Sequence, residues 1–254
     1  MAGEKWSKEQ TIVAFNLYCK IPFNKVTSSH PEIQRISTIL GRTPSSLSMK
    51  MGNFGSFDPE LKKRGIVGLT NASKLDKEVW DEFNSNWAEL AYQSELLIAE
   101  FSNKGIEEIT QIDFSDIPIG KERESIVKTR VNQNFFRAAI LSSYNNSCCI
   151  TGLNIQELLI ASHIKPWSID KENRLNPRNG ICLNPLHDKA FDRGYITITP
   201  DYRVKVSELI GLQIGNESLK KFFTDFNNIK ITLPDKFVPD LSFLDFHSRN
   251  IFKR

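Results

Sequence analysis

His163, Asn179 and His187 stand close together in the second half of the chain, in a stretch of short apolar runs that ends at a helix start. Hydrolysing a phosphodiester needs a base to deprotonate water and a cation to take up charge on the phosphate and the leaving oxygen. A histidine, with an ordinary pKa near neutrality, suits the first task. An imidazole on a helix beside carboxylates suits the second, because both ligand types hold divalent metals. Asp188 and Asp192 supply those carboxylates, four residues apart on one helix face, with Asp192 equally suited to anchor the helix end. Arg137, Lys165, Arg174, Arg178, Lys189 and Arg193 are the cations around this set that can grip phosphate.

The elements that must position these side chains are short. Apolar runs at 149–152, 158–164 and 181–183 read as strands, and Asn184-Pro185 reads as an N-cap followed by proline at the first helical position. That places His163 at a strand end, Asn179 at the opening of the next strand and His187 in the first turn of the helix. Phe191 to Gly194 closes the helix, and a hairpin over 195–206 turns at Pro200-Asp201. The Phe-rich tail from Leu209 onward reads as core closing over this ββα unit.

Three segments carry a resemblance: Ala161-Ser162-His163-Ile164-Lys165-Pro166-Trp167, Asn179-Gly180-Ile181-Cys182-Leu183, and His187-Asp188-Lys189-Ala190-Phe191-Asp192-Arg193-Gly194. With Arg130-Val131-Asn132-Gln133-Asn134-Phe135-Phe136-Arg137 upstream, they resemble the HNH (ββα-metal) endonuclease family in its bacterial restriction-type branch, over residues 130–206. The resemblance implies a catalytic centre in which His163 is the general base, His187 a ligand of one divalent metal, Mg2+ or Mn2+, and Asn179 the residue that fixes the loop and orients the base. Many members place an acid immediately before the base histidine; this chain has Ser162 there, so the ligand set is open between Ser162, its carbonyl, Asp188 and water. The zinc cysteines of some members are missing, so no structural zinc is expected and metal is needed for catalysis but not for folding.

The N-terminal segment reads as three short helices: one opening at Trp6-Ser7-Lys8-Glu9 and ending before Pro22, one from Pro31, and one capped by Thr43 and continuing to Phe54. With Leu40-Gly41-Arg42-Thr43-Pro44-Ser45 as the turn, this resembles the Myb/SANT type of helix-turn-helix, which implies that Arg42, Ser45, Ser46, Ser48 and Lys50 face double-stranded DNA. A helical protein-interaction domain is the alternative. Residues 53–71 read as a loop. Leu75, Val79, Phe83, Trp87, Leu90, Leu97 and Phe101 then form one stripe of a long acidic helix, expected to pack on its own domain or on a second copy in a homodimer. Residues 109–120 read as a linker.

These readings give an α+β chain with a helical DNA-reading domain at 1–70, an acidic helix and linker at 71–120, and a nuclease domain at 121–254 with its core at 130–206. The expected function is a metal-dependent DNA endonuclease in restriction or defence, with modified bases as one recognition possibility. The rivals are a DNA-binding regulator with a degenerate site and a non-specific or RNA-directed nuclease.

Composition agrees with a folded chain: 254 residues, 40% hydrophobic and 25% charged. No apolar run approaches the ~18 residues of a membrane span and no secretory signal opens the sequence, so a cytoplasmic protein without membrane contact is expected. Cys19, Cys148, Cys149 and Cys182 contain no CxxC pair and are expected to be reduced, buried thiols. The formal charge of +3 hides a pattern. Residues 1–64 hold 10 basic and 5 acidic side chains, residues 65–120 hold 3 and 11, and residues 121–254 hold 20 and 14, giving +5, −8 and +6. Two basic blocks joined by an acidic one suggest two surfaces facing a polyanion.

Overall fold

Ser7 and Gln10 begin the fold with a reciprocal cap: Gln10 N–H donates to Ser7 Oγ and Ser7 N–H to Gln10 Oε1, which satisfies two of the donors that a helix start leaves open. The helix they start is α1 (Lys8–Lys20), in a computed structural model that describes residues 5–63, 65, 72–110, 121–211 and 216–254. Parts of the loop expected at 53–71 and residues 111–120 of the expected linker lie outside the described residues. After α1 come α2 (Pro31–Ile39) and α3 (Pro44–Gly55). Thr43 Oγ1 caps α3 by accepting from Ser46 N–H, and Gly41 turns the chain between the two helices at φ 64, a left-handed conformation that favours glycine.

The expected single acidic helix is two helices, α4 (Lys74–Phe83) and α5 (Trp87–Phe101). The break falls at Asn84-Ser85-Asn86, residues whose short polar side chains compete with helical hydrogen bonds. Both helices pack on α1, burying Val79, Trp80, Phe83, Trp87, Leu90 and Leu97. Asn16 Nδ2 on α1 donates to Ser94 Oγ on α5 at 2.7 Å, and Phe15 lies 4.8 Å from Phe54 and 5.2 Å from Trp80 between ring centroids. Of the two expected places for the apolar stripe, its own domain or a second copy, the structure shows the first, which removes the surface on which a dimer rested.

Two residues expected to read DNA are consumed in the same way. Lys50 is buried, with Nζ 2.5 Å from Asp76 Oδ1 on α4 and 4.9 Å from the Trp6 ring centroid; Asp76 also accepts from Asn53 Nδ2 and Ser73 N–H. Arg42 donates to Gln10 Oε1 at 2.8 Å and to the Lys5 carbonyl at 2.7 Å, with its guanidinium carbon 5.0 Å from the Trp6 centroid. Both cations tie the N-terminal segment together. Ser45 is exposed and Ser46 half-buried in the cap, and Lys50 is the one cation in the sequence of α3.

The chain divides into two units, Met1–Ala139 and Ile140–Arg254, so the acidic block belongs to the first rather than standing between domains. Helix α6 (Lys121–Ser143) runs through the division. In the second unit β1 (Ile160–His163) pairs antiparallel with β2 (Gly180–Leu183), with His163 opposite Gly180 and Ser162 opposite Ile181. Helix α7 (Pro185–Asp192) follows, then the hairpin of β3 (Ile196–Ile198) and β4 (Val204–Val206). The strand expected at 149–152 is a turn; Cys149 N–H still donates to the Cys182 carbonyl, which ties that turn to β2. Helix α8 (Leu241–Asn250) closes the unit. Its His247 is buried, stacked on Phe191 of α7 at 3.7 Å between centroids, with Nε2 donating to the Phe191 carbonyl and Nδ1 2.8 Å from Thr197 Oγ1. All four cysteines are buried free thiols, and no described helix is long and apolar enough to cross a membrane.

Two outcomes are expected. Lys50→Ala leaves a fully buried carboxylate without its cation and should cost roughly 3 kcal/mol of stability in urea unfolding. Burial lowers the His247 pKa to about 4, against 6.5 for the ordinary imidazole, despite the carbonyl bond that favours its charged form. Below pH 6.5 the unfolded chain therefore takes up a proton that the native state refuses until about pH 4. The linked loss of stability between pH 7 and pH 4 is about 3 kcal/mol, and His247→Gln should remove that share of the pH dependence.

Candidate active site

His163 ends β1 with its ring turned into the loop that leads to β2. Nε2 lies 2.8 Å from the Arg174 carbonyl, which can only accept, so Nε2 carries the proton and the lone pair of the neutral ring is on Nδ1. Burial lowers the His163 pKa below the ordinary 6.5, against a smaller opposing effect of the Arg174 carbonyl, so the ring is the free base at neutral pH.

Asn179 holds this arrangement from below. Fully buried at the start of β2, it accepts from Lys165 N–H through Oδ1 at 2.8 Å, and its Nδ2 donates to the carbonyls of Lys165 at 3.1 Å and Asn173 at 3.2 Å. One amide thus joins both ends of the loop that presents the Arg174 carbonyl to His163. Asp170 adds to the closure through Asn173 N–H and an ion pair of 2.8 Å with Lys165 Nζ.

A cleft of about 590 Å³ opens beside His163, lined by Ser162, Trp167, Asp188, Lys189, Asp192 and Arg193 among others. The Asn184-Pro185 start sets the rotation of α7, with Asn184 Oδ1 accepting from His187 N–H at 2.9 Å. Residues 188 and 192 then lie one above the other on the cleft side. Burial raises the Asp188 carboxyl above its ordinary value, opposed by Ser162 and Lys189. Burial also raises Asp192, and the charge of Asp188 adds to it. Two carboxylates that resist ionisation side by side are placed to gain from a bound cation. Ser162 Oγ lies near enough to favour ionised Asp188 but outside hydrogen-bonding geometry, and it is a buried hydroxyl with no hydrogen-bond partner.

His187 is not in this cleft. It is buried on another side of α7, where Nε2 donates to the Phe222 carbonyl at 2.8 Å and Nδ1 lies 3.2 Å from Asn184 Nδ2, with Phe223 and Phe226 edge-on to the ring at 5.7 and 5.4 Å. One residue along a helix is a rotation of about 100°, and that rotation separates His187 from Asp188. These contacts join α7 to the segment around Phe222, and His187 lines a separate pocket there with Asn184 and Phe226.

The other expected phosphate contacts lie at different places in the fold. Lys165 pairs with Asp170 and lies 5.1 Å from the Phe246 centroid. Arg174 donates from Nε to the Trp167 carbonyl, with its guanidinium 4.9 Å from the Trp167 ring centroid. Arg178 reaches the Val238 carbonyl at 3.4 Å, and Arg137 is exposed on α6 in the first unit. Lys189 and Arg193 are the cations that line the cleft. Trp167, the last residue of the segment that opens with Ala161, has no role assigned from the sequence and lies edge-on to His163 at 5.4 Å.

Among the described residues no group of three or more His, Cys, Asp and Glu side chains is arranged to hold a metal. The cleft instead offers two carboxylates and an unpartnered hydroxyl, a sparse all-oxygen set that suits Mg2+, which takes one or two carboxylates, keeps several waters and accepts substrate phosphate. No curated protein matches the chain. Residues 148–199, which contain β1, the Asn179-pinned loop, β2 and α7, match the model of the HNH endonuclease family and so support nuclease activity on nucleic acid.

Proposed function

We propose that this protein is a metal-dependent DNA endonuclease of the restriction or defence type, cutting phosphodiesters in the cleft between β1 and α7. The observation that carries the reading is the meeting in one cleft of a neutral, tautomer-fixed histidine with two carboxylates and two cations. The restriction role follows the resemblance over residues 130–206, and comparing digestion of methylated with unmethylated DNA tests whether modified bases are read.

In this reading His163 is the general base. Nδ1 removes a proton from a water whose oxygen bonds to phosphorus as one ester P–O bond breaks, and the Arg174 carbonyl stabilises the imidazolium through Nε2–H. Asp188, Asp192 and Ser162 would hold Mg2+ or Mn2+, which when bound offsets negative charge on the phosphate and on the departing oxygen. Lys189 and Arg193 bind the phosphate and Asn179 positions the base. His187 is replaced as ligand by Asp188.

A second reading has one observation in its favour. Arg42 and Lys50 are engaged within the first unit, which favours a nuclease of low sequence selectivity whose N-terminal unit binds protein. Digesting duplex DNA and RNA side by side separates the two: cutting at defined duplex sites supports the first, and degradation of any nucleic acid supports the second.

His163→Ala should lower plasmid cleavage about 100-fold or more, with DNA affinity nearly unchanged, because a base acts in the transition state and hardly in ground-state binding. Asp188→Asn should raise the Mg2+ or Mn2+ concentration needed for half-maximal cleavage. His187→Ala should leave that midpoint in place and lower the melting temperature; the opposite pair of results would return the ligand role to His187.

A further inference from the structure

We propose that the C-terminal unit carries a second contact for the DNA backbone, a cationic face made by Arg203, Lys205, Lys253 and Arg254 that holds the duplex beyond the cut phosphate. This rests on the nuclease reading above and extends it to the path of the substrate.

A groove of about 550 Å³ runs over β4 and the last residues of the chain. Arg203, Lys205, Phe252 and Arg254 line it, with Asp201 and Glu208 as its acidic residues. Arg203 and Lys205 stand two apart along the strand, on one side of it and roughly 7 Å from each other. Lys230, paired with Arg203 across a single bridge, is exposed beside them.

Aromatic rings hold two of these ammonium groups. Lys205 Nζ lies 5.6 Å from the Phe252 ring centroid, and Lys253 Nζ lies 4.6 Å from that of Tyr195, a ring 37% exposed. A ring face orients an ammonium without cancelling its charge, so both remain available to an anion. Arg203 is partly offset by Asp201 at 3.3 Å and is fixed by donating to the Asn228 carbonyl at 2.7 Å.

The groove and the catalytic cleft share no lining residue, but a short stretch of backbone links them. Arg193 lines the cleft, and the next residue, Gly194, accepts from Lys253 N–H at 2.9 Å. Gly194 adopts φ 74, and a Cβ there would fall 2.1 Å from the Ile251 carbonyl oxygen, so only glycine lets the C-terminal segment lie this close. Tyr195 then carries the surface to Lys253, Phe252 and Lys205. Cations in the same unit as a phosphodiester site, spaced along a strand and set with aromatic rings, fit the backbone of the polymer being cut.

The test uses the full chain with His163→Ala as background, so that binding is read without cleavage, by fluorescence anisotropy on a duplex of about 40 base pairs over a salt series. Adding Lys205→Gln and Lys253→Gln should weaken binding about tenfold at moderate salt and flatten the slope of log affinity against log salt by about 2. Glu208→Lys should tighten binding and steepen the slope by about 1, a gain that misfolding cannot mimic. If the background protein binds duplex and both sets of variants keep its affinity and slope, the second contact is wrong and the nuclease reading stands. If the background protein binds no duplex at low salt, or binds RNA alone, the nuclease reading for DNA fails and this contact with it.

Discussion

The hydrogen bond from His163 Nε2 to the Arg174 carbonyl decides what the cleft can do. It assigns the proton to one ring nitrogen and leaves the lone pair on the other, and a histidine with the opposite tautomer would present a donor where a base is needed. The carbonyl has its place only because residues 164–179 fold back on themselves. Three hydrogen bonds from the Asn179 side chain perform that closure, and the Asn179 carbonyl adds a fourth from Ile164 N–H. A fully buried amide with its donors and acceptor all used is a rigid clamp, because any displacement strands a polar group away from water. Burial of the imidazole, which keeps it neutral, and closure of the loop, which keeps it oriented, are two effects of one packing arrangement.

Much of this was legible because it is local. The Asn184-Pro185 helix start, the β3–β4 hairpin and the three N-terminal helices follow from caps, prolines and apolar spacing within a few residues. The strand-end position of His163 and the position of Asn179 just before β2 follow from a short stretch of chain as well. Which side chains of α7 share the cleft with His163 was not legible, because it depends on the rotation of that helix, and adjacent helical residues point about 100° apart. Asn184 sets that rotation by capping, and the Phe222 carbonyl, 35 residues away, holds His187 in the other direction.

Long-range pairing also hid the purpose of the N-terminal cations. Arg42 and Lys50 are polar residues on a turn and a helix suited to meet DNA, and nothing within either helix shows their engagement. Their partners, Gln10 and Asp76, are 32 and 26 residues distant. The same holds for the acidic helices, whose apolar stripe reads equally well as an inner face or as a surface for a second copy. Packing of Val79, Leu90 and Leu97 into their own unit resolves that choice.

Charge along the chain takes a different meaning once these pairs are known. Read linearly, +5, −8 and +6 describe two basic surfaces and an acidic connector. In the fold the acidic block lies against the first basic one: Lys8 pairs with Glu82, Lys20 with Glu95 and Lys50 with Asp76. Residues 1–139 hold 18 basic and 18 acidic side chains, so the first unit has no net charge, and residues 140–254 hold 15 and 12 and carry the whole +3. A polyanion that comes within about 10 Å, the screening length near 0.1 M salt, responds to the local excess of charge, and pairs that cancel one another contribute little to it. That excess belongs to the unit that contains the cleft and the Asn179 clamp on the His163 loop. The net positive charge and the cleft therefore reside in one unit, while the first unit is neutral overall and pairs Lys8, Lys20 and Lys50 within it.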